Sequence, residues 1–265
     1  MSDIASTFTI FGPVKKHLSS LGDAVSFMGR STKEIIMLLR PPYEWDEVFY
    51  QCFKVGNKSL SLVAITGFIM GLVLTLQSRP VLAEFGAESW LPSMVSISFI
   101  REIGPVITAL ICAGKIGSGI GAEVGSMKVT EQIEAMEVSA TNPYKYVVAT
   151  RIVATSIMVP ILVFFADGFG LLGSFIGINL NADVDHTLYL FQAFSSLEFS
   201  DFIPAFIKSI LFGYVIGIVG CYQGLNAGRG TESVGIAANT SVVISSLLIF
   251  FVDLLVVQAT TLFIN

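Results

Sequence analysis

Five long apolar runs, near 59–78, 92–122, 146–178, 202–225 and 239–263, constrain this chain more than any other feature. A helix needs about 20 predominantly apolar residues to cross the hydrocarbon core of a bilayer, and each run supplies that length. Only 13% of residues are charged, 53% are hydrophobic and the mean hydropathy is +0.76, whereas about a quarter of a soluble domain is charged. The expectation is an all-α integral membrane protein. Short joins and the absence of a Pro/Ser-rich linker make one bundle of residues 59–265, preceded by an interfacial region over 1–58.

In that first region Val14, Leu18, Leu21, Val25 and Met28 form one apolar stripe of a helix that carries Lys15, Lys16, Asp23 and Arg30 elsewhere. This pattern fits a helix lying in the membrane interface, with an ordinary soluble amphipathic helix as the alternative. Pro41-Pro42 ends it, and Tyr43, Trp45 and Tyr50 suit headgroup depth. The N-terminus lacks the pattern of a cleavable signal peptide. Lys and Arg gather before the first run, between the second and third and between the fourth and fifth, whereas 179–201 carries Asp183, Asp185, Glu198 and Asp201 and no Lys or Arg. The positive-inside rule then places the N-terminus in the cytoplasm and the C-terminus outside.

Several function classes drop out. A dispersed net charge of −5 gives nucleic acid no basic patch. Cys52, Cys112, Cys221, His17 and His186 are scattered without metal-ligand spacing. Gly168, Gly170 and Gly173 match a dinucleotide-binding spacing but lie inside an apolar run with no preceding strand, and no phosphate-cradling Gly-x-x-x-x-Gly-Lys-[Ser/Thr] occurs. No cofactor is expected in this chain, and any ATP and Mg belong on a separate ATPase. The remaining glycines (Gly67 and Gly71, Gly213 and Gly217, and Gly114 through Gly125) read as helix-packing faces.

Two polar features stand out. The first is the acidic join Glu123–Pro143, where Val129, Ile133 and Met136 fall on one side of a short helix over 129–138 and Glu131, Glu134 and Glu137 on the other. Thr130 is its expected N-cap and Asn142-Pro143 its stop. Carboxylates disfavour anionic headgroups, so a basic protein partner accounts for such a helix better than lipid does, though a merely solvated helix stays open. The second comprises Arg101, Glu102, Lys208 and Asp253, four charges at membrane depth. An isolated charge there costs about 2.5–3.5 kcal/mol, so the four should face one another or a wet cavity. Arg101 precedes Gly104-Pro105, where a bend is expected. A static register-fixing network and a rearranging one both fit.

The stretch from Arg101 to Tyr146, REIGPVITALICAGKIGSGIGAEVGSMKVTEQIEAMEVSATNPYKY, resembles the signature of the MlaE-type permease family, the membrane subunit of ABC transporters associated with MCE proteins. The resemblance extends through QGLNAGRGTESVGIAANTSVV at Gln223–Val243. It implies a homodimer in the bacterial inner membrane, bound by an ABC ATPase through the acidic coupling helix. It further implies a STAS-domain protein, an MCE-domain hexamer and transport of phospholipids or related lipids. Resemblance and polarity together make Leu72, Thr75, Leu76 and Leu82 of the first span, with Val256, Val257, Thr260 and Leu262 of the fifth, candidates for a lipid pocket. The alternatives are an ion-coupled secondary transporter, disfavoured because five spans do not divide into two similar halves, and a structural anchor, which has no need of membrane-depth charge.

Overall fold

The computed structural model describes residues 22–38, 41, 44–180 and 185–264. All regular elements among them are helical. An N-terminal helix, α1, covers 22–37. Five helices are long and apolar enough to cross a membrane: α2 (Trp45–Glu84), α3 (Glu88–Val129), α5 (Tyr144–Asn179), α7 (Phe199–Leu225) and α8 (Thr231–Ile264). Two short helices join them, α4 (Gln132–Val138) between α3 and α5 and α6 (His186–Ser195) between α5 and α7.

The expected spans are present but longer at their ends. α2 starts at Trp45 and runs unbroken through 58 and 59, so Trp45 and Tyr50 belong to the same helix as the first apolar run. Val14, Leu18, Leu21 and Tyr43 lie outside the described residues. Of the expected stripe, Val25 and Met28 are exposed, and α1 instead turns Phe27 and Ser31 inward. Phe27 packs its ring on Tyr144 and Tyr222 at centroid distances of 5.9 and 5.3 Å.

Small residues set the helix order. α2 packs along α5, α5 on α7, and α7 on α8, with α3 running between α7 and α8. A Cβ at Gly71 would stand 1.9 Å from the carbonyl oxygen of Gly170, and one at Gly173 would stand 2.0 Å from that of Phe68. Gly170 makes room for the ring of Phe99 on α3, while Gly71 and Gly173 bring α2 and α5 together, which is the packing role that a glycine face has in lipid. Gly213 and Gly217 do the same between α7 and α5, and Gly121 between α3 and α8. Gly114 and Gly119 differ, because a Cβ at either would meet nothing.

α3 is not a uniform α-helix. It tightens at Glu88–Trp90 and widens into π turns at Phe99–Ile103 and Ala113–Gly117. The first π turn stands immediately before Gly104-Pro105, where the ring removes a backbone donor and the ladder must adjust. At the end of α3 the chain reverses, and here the expected cap is corrected. Thr130 does not cap α4; its hydroxyl donates to the carbonyl of Ser126 and closes α3, of which Val129 is the last residue. Glu131 makes the reversal with φ 59° and is the N-cap of α4, so the helix expected over 129–138 is shorter, Gln132–Val138. Asn142 ends the join and also starts α5, its Oδ1 accepting from the amide of Tyr144 at 3.0 Å.

At the opposite end α6 lies over the start of α3. The hydroxyls of Ser93 and Ser96 donate to the carbonyls of Gln192 and Ala193 at 2.8 and 2.6 Å, and buried Tyr189 donates to Leu171 at 3.0 Å.

Candidate functional site

A cavity of about 300 Å³ opens between α3, α7 and α8 at the end of the bundle away from α4. Its polar wall carries Arg101 and Glu102, both on the first π turn of α3, with Asp201 and Lys208 from α7. Its other wall is Val256, Val257 and Thr260 of α8. Residues expected from two separate arguments, membrane-depth charge and an apolar lipid wall, thus line one space.

Lys208 organises the charge. Its side chain is only 3% exposed, and Nζ donates to Glu102 Oε2 at 2.6 Å and to Asp253 Oδ1 at 3.0 Å. The side chain of Asp253 is 13% exposed, while Glu102, at 45%, keeps one edge toward the cavity. A buried ammonium held by two carboxylates is satisfied, and it ties α3, α7 and α8 together at one point.

Arg101 is where the expected network is corrected. It does not join the other three; its Nε donates to Asp201 Oδ1 at 2.9 Å. Asp201 sits in the first turn of α7, where its Oδ2 also accepts from the amide of Glu198 at 3.0 Å in a capping box. One carboxylate therefore caps a helix and anchors a guanidinium that is itself 53% exposed. With Asp201 the site holds five charged groups, Arg101, Lys208, Glu102, Asp253 and Asp201, one more negative than positive. Sequence reasoning counted Asp201 among the loop acids of 179–201, and its position on a helix N-terminus is what brings it into the site. A second omission was Asp167, a lone acid inside the third apolar run. Its Oδ1 is buried with no hydrogen-bond partner among the described residues and lies 1.9 Å from where a Cβ on Gly104 would be.

The first-span candidates do not reach this cavity. Thr75 is fully buried, donating to the carbonyl of Gly71 at 2.9 Å and to Ser174 Oγ at 2.8 Å, so it joins α2 to α5 instead of lining a pocket. Leu82 packs under α6 with Val95 and Tyr189, Leu72 is half-buried, and Leu76 is exposed on α2. On α8, Leu262 is exposed beyond the cavity.

At the other end α4 buries Ile133 and half-buries Met136, leaving Glu131 and Glu137 exposed. Glu134 pairs with Lys128 at the end of α3. That ammonium holds the Glu134 carboxyl below its usual range.

Over residues 48–259 the sequence matches the family model described as Permease MlaE. The chain belongs to the MlaE permease family. Among relatives, a probable ABC transporter permease protein of Rickettsia typhi is 36% identical over 92% of this chain and 95% of its own. One from Synechocystis is 34% identical over 79% of this chain and 81% of its own. One from Pyropia yezoensis is 34% identical over 77% of each. The family match takes in α2 through most of α8, so the charged cavity and the α4 turn both lie within the permease region.

Proposed function

We propose that this chain is the membrane subunit of an ATP-driven ABC transporter that moves phospholipids or related lipids between the bacterial inner membrane and an MCE-protein assembly. The cavity carries the reading. A half-exposed guanidinium and a half-exposed carboxylate stand beside an apolar wall of α8, which suits a headgroup of both signs above acyl chains. The chain itself is non-catalytic. ATP hydrolysis belongs to an ABC ATPase docked at α4 on the cytoplasmic side, where exposed Glu131 and Glu137 suit a basic surface. A second copy of the chain, an MCE hexamer outside and a STAS-domain protein on the ATPase complete the assembly. The first-span candidates Leu72, Leu76 and Leu82 would join the lipid path through the second copy.

In this reading the Lys208 triad lies beneath the headgroup site and rearranges when the ATPases close. Purification of the assembly with its co-encoded neighbours, followed by mass spectrometry of bound lipid, tests it. Phospholipid should be recovered with the wild-type complex and lost from Glu102→Ala, which should still assemble and hydrolyse ATP. Equal lipid recovery from wild type and Glu102→Ala would contradict the assignment.

A further inference from the structure

A second charged cavity lies at the opposite end of the bundle, between α2 and α3, and has a volume of about 320 Å³. Lys54 and Lys58 stand one turn apart on α2, and Lys115 reaches across from the second π turn of α3. One carboxylate lines it, Glu123, and both of its oxygens are taken: Oε2 by Lys54 at 2.5 Å and Oε1 by Arg151 at 3.0 Å. Lys58 and Lys115 are in no ion pair among the described residues. The Lys115 ammonium donates to the backbone carbonyl of Lys58. Lys115 stands seven residues before the end of the second apolar run at 122, about 10 Å along a helix, so its charge starts inside that run and meets α2 at Lys58, just before the first run. A cation at that depth is expensive unless something anionic meets it. Val55, Ile116 and Ile120 line the apolar remainder of the cavity, and Gly119 leaves room, since a Cβ there would meet nothing.

We propose that this cavity binds the phosphate of an anionic phospholipid headgroup from the adjacent leaflet, held by Lys58 and Lys115, with its chains against α2 and α3. Basic pockets between spanning helices on the coupling side are suited to anionic headgroups. The pairing of Glu123 matters here, because a free carboxylate would repel the phosphate. This site does not rest on the transport reading: it lies away from the Arg101–Lys208 cavity, and either assignment can fail without the other.

The test uses the full-length chain in nanodiscs of phosphatidylcholine with a minor share of phosphatidylglycerol, released for native mass spectrometry. Wild type should retain phosphatidylglycerol in preference to phosphatidylcholine. Each lysine near an anionic surface contributes roughly fivefold, so Lys58→Gln with Lys115→Gln should lower retention about 25-fold. Gly119→Leu fills the open space without touching a charge and should lower it as well, with an unchanged melting curve. The exposed Lys33 on α1, changed to Gln, should have no effect. Equal retention of phosphatidylglycerol by wild type and both cavity variants would overturn the proposal. So would displacement of the lipid from wild type by millimolar inorganic phosphate, which would reassign the lysines to a free anion.

Discussion

At the residue scale the decisive group is Lys208, a nearly buried ammonium between Glu102 and Asp253. Removing one member of a buried pair typically costs 3–5 kcal/mol because it strands the partner's charge, whereas replacing all members by apolar groups of similar volume is often close to neutral. Lys208→Ala should therefore lower the melting temperature of the purified chain clearly, and Lys208→Met combined with Glu102→Met and Asp253→Leu should recover most of the loss. A triple variant no more stable than Lys208→Ala would show that the charges do more than satisfy one another. The three residues were legible in the sequence because a charge inside an apolar run demands a partner. The Arg101 partner was not. Asp201 belongs by composition to an acidic loop, and only the folding of Phe199–Leu225 as a helix with Asp201 in its first turn aims the carboxylate at α3.

Glycine contacts and the α4 turn govern the scale of elements. A side chain at Gly71 would collide with the backbone of Gly170, which cannot swing aside as a side chain can. Overpacking of this kind costs typically 1–3 kcal/mol or more, so Gly71→Leu should abolish recovery of folded chain from membranes, while Gly119→Leu should leave it unchanged. The sequence made both look like packing glycines; spacing alone does not say which side of a helix finds a neighbour. The α4 helix was likewise legible as an amphipathic segment, but its first residues were not. Thr130 serves α3, and Glu131 takes a left-handed backbone that costs a non-glycine residue roughly 1–2 kcal/mol. Glu131→Gly should thus preserve or raise stability while removing a carboxylate. Glu131→Lys with Glu134→Lys should abolish co-purification of the ATPase with the permease still folded, and full retention would contradict the docking role. Acid should weaken the Lys128–Glu134 contact. The Glu134 carboxyl is held below its usual value, so the pairing is present above the ordinary carboxylate range and is lost as pH falls through the lowered one. A pH-independent α4 contact, followed by the carboxyl carbon signal of Glu134, would contradict that pairing.

On the scale of the whole molecule, five spans enclose a well-packed interior on α3, α5 and α7 and leave α2 and α8 sparsely covered. Phe250, Phe251, Leu254 and Leu255 are all exposed on α8, beside the wall that lines the charged cavity. Hydropathy was enough to read the span count, and the resemblance of the stretches Arg101–Tyr146 and Gln223–Val243 carried the permease family. The meeting of α3, α7 and α8 at one cavity was not legible, because tertiary neighbours at membrane depth leave no period in the sequence. The central claim is that this cavity receives lipid between charge and the α8 wall. A photo-crosslinking residue at Val257, in the assembled transporter under turnover with ATP, tests it most directly against the same residue at Ile210, which is exposed on α7 outside the cavity. The account predicts strong capture of phospholipid at Val257 that falls when Glu102 is replaced by Ala, with Ile210 unaffected. Capture at Val257 no greater than at Ile210, and indifferent to Glu102, would contradict it.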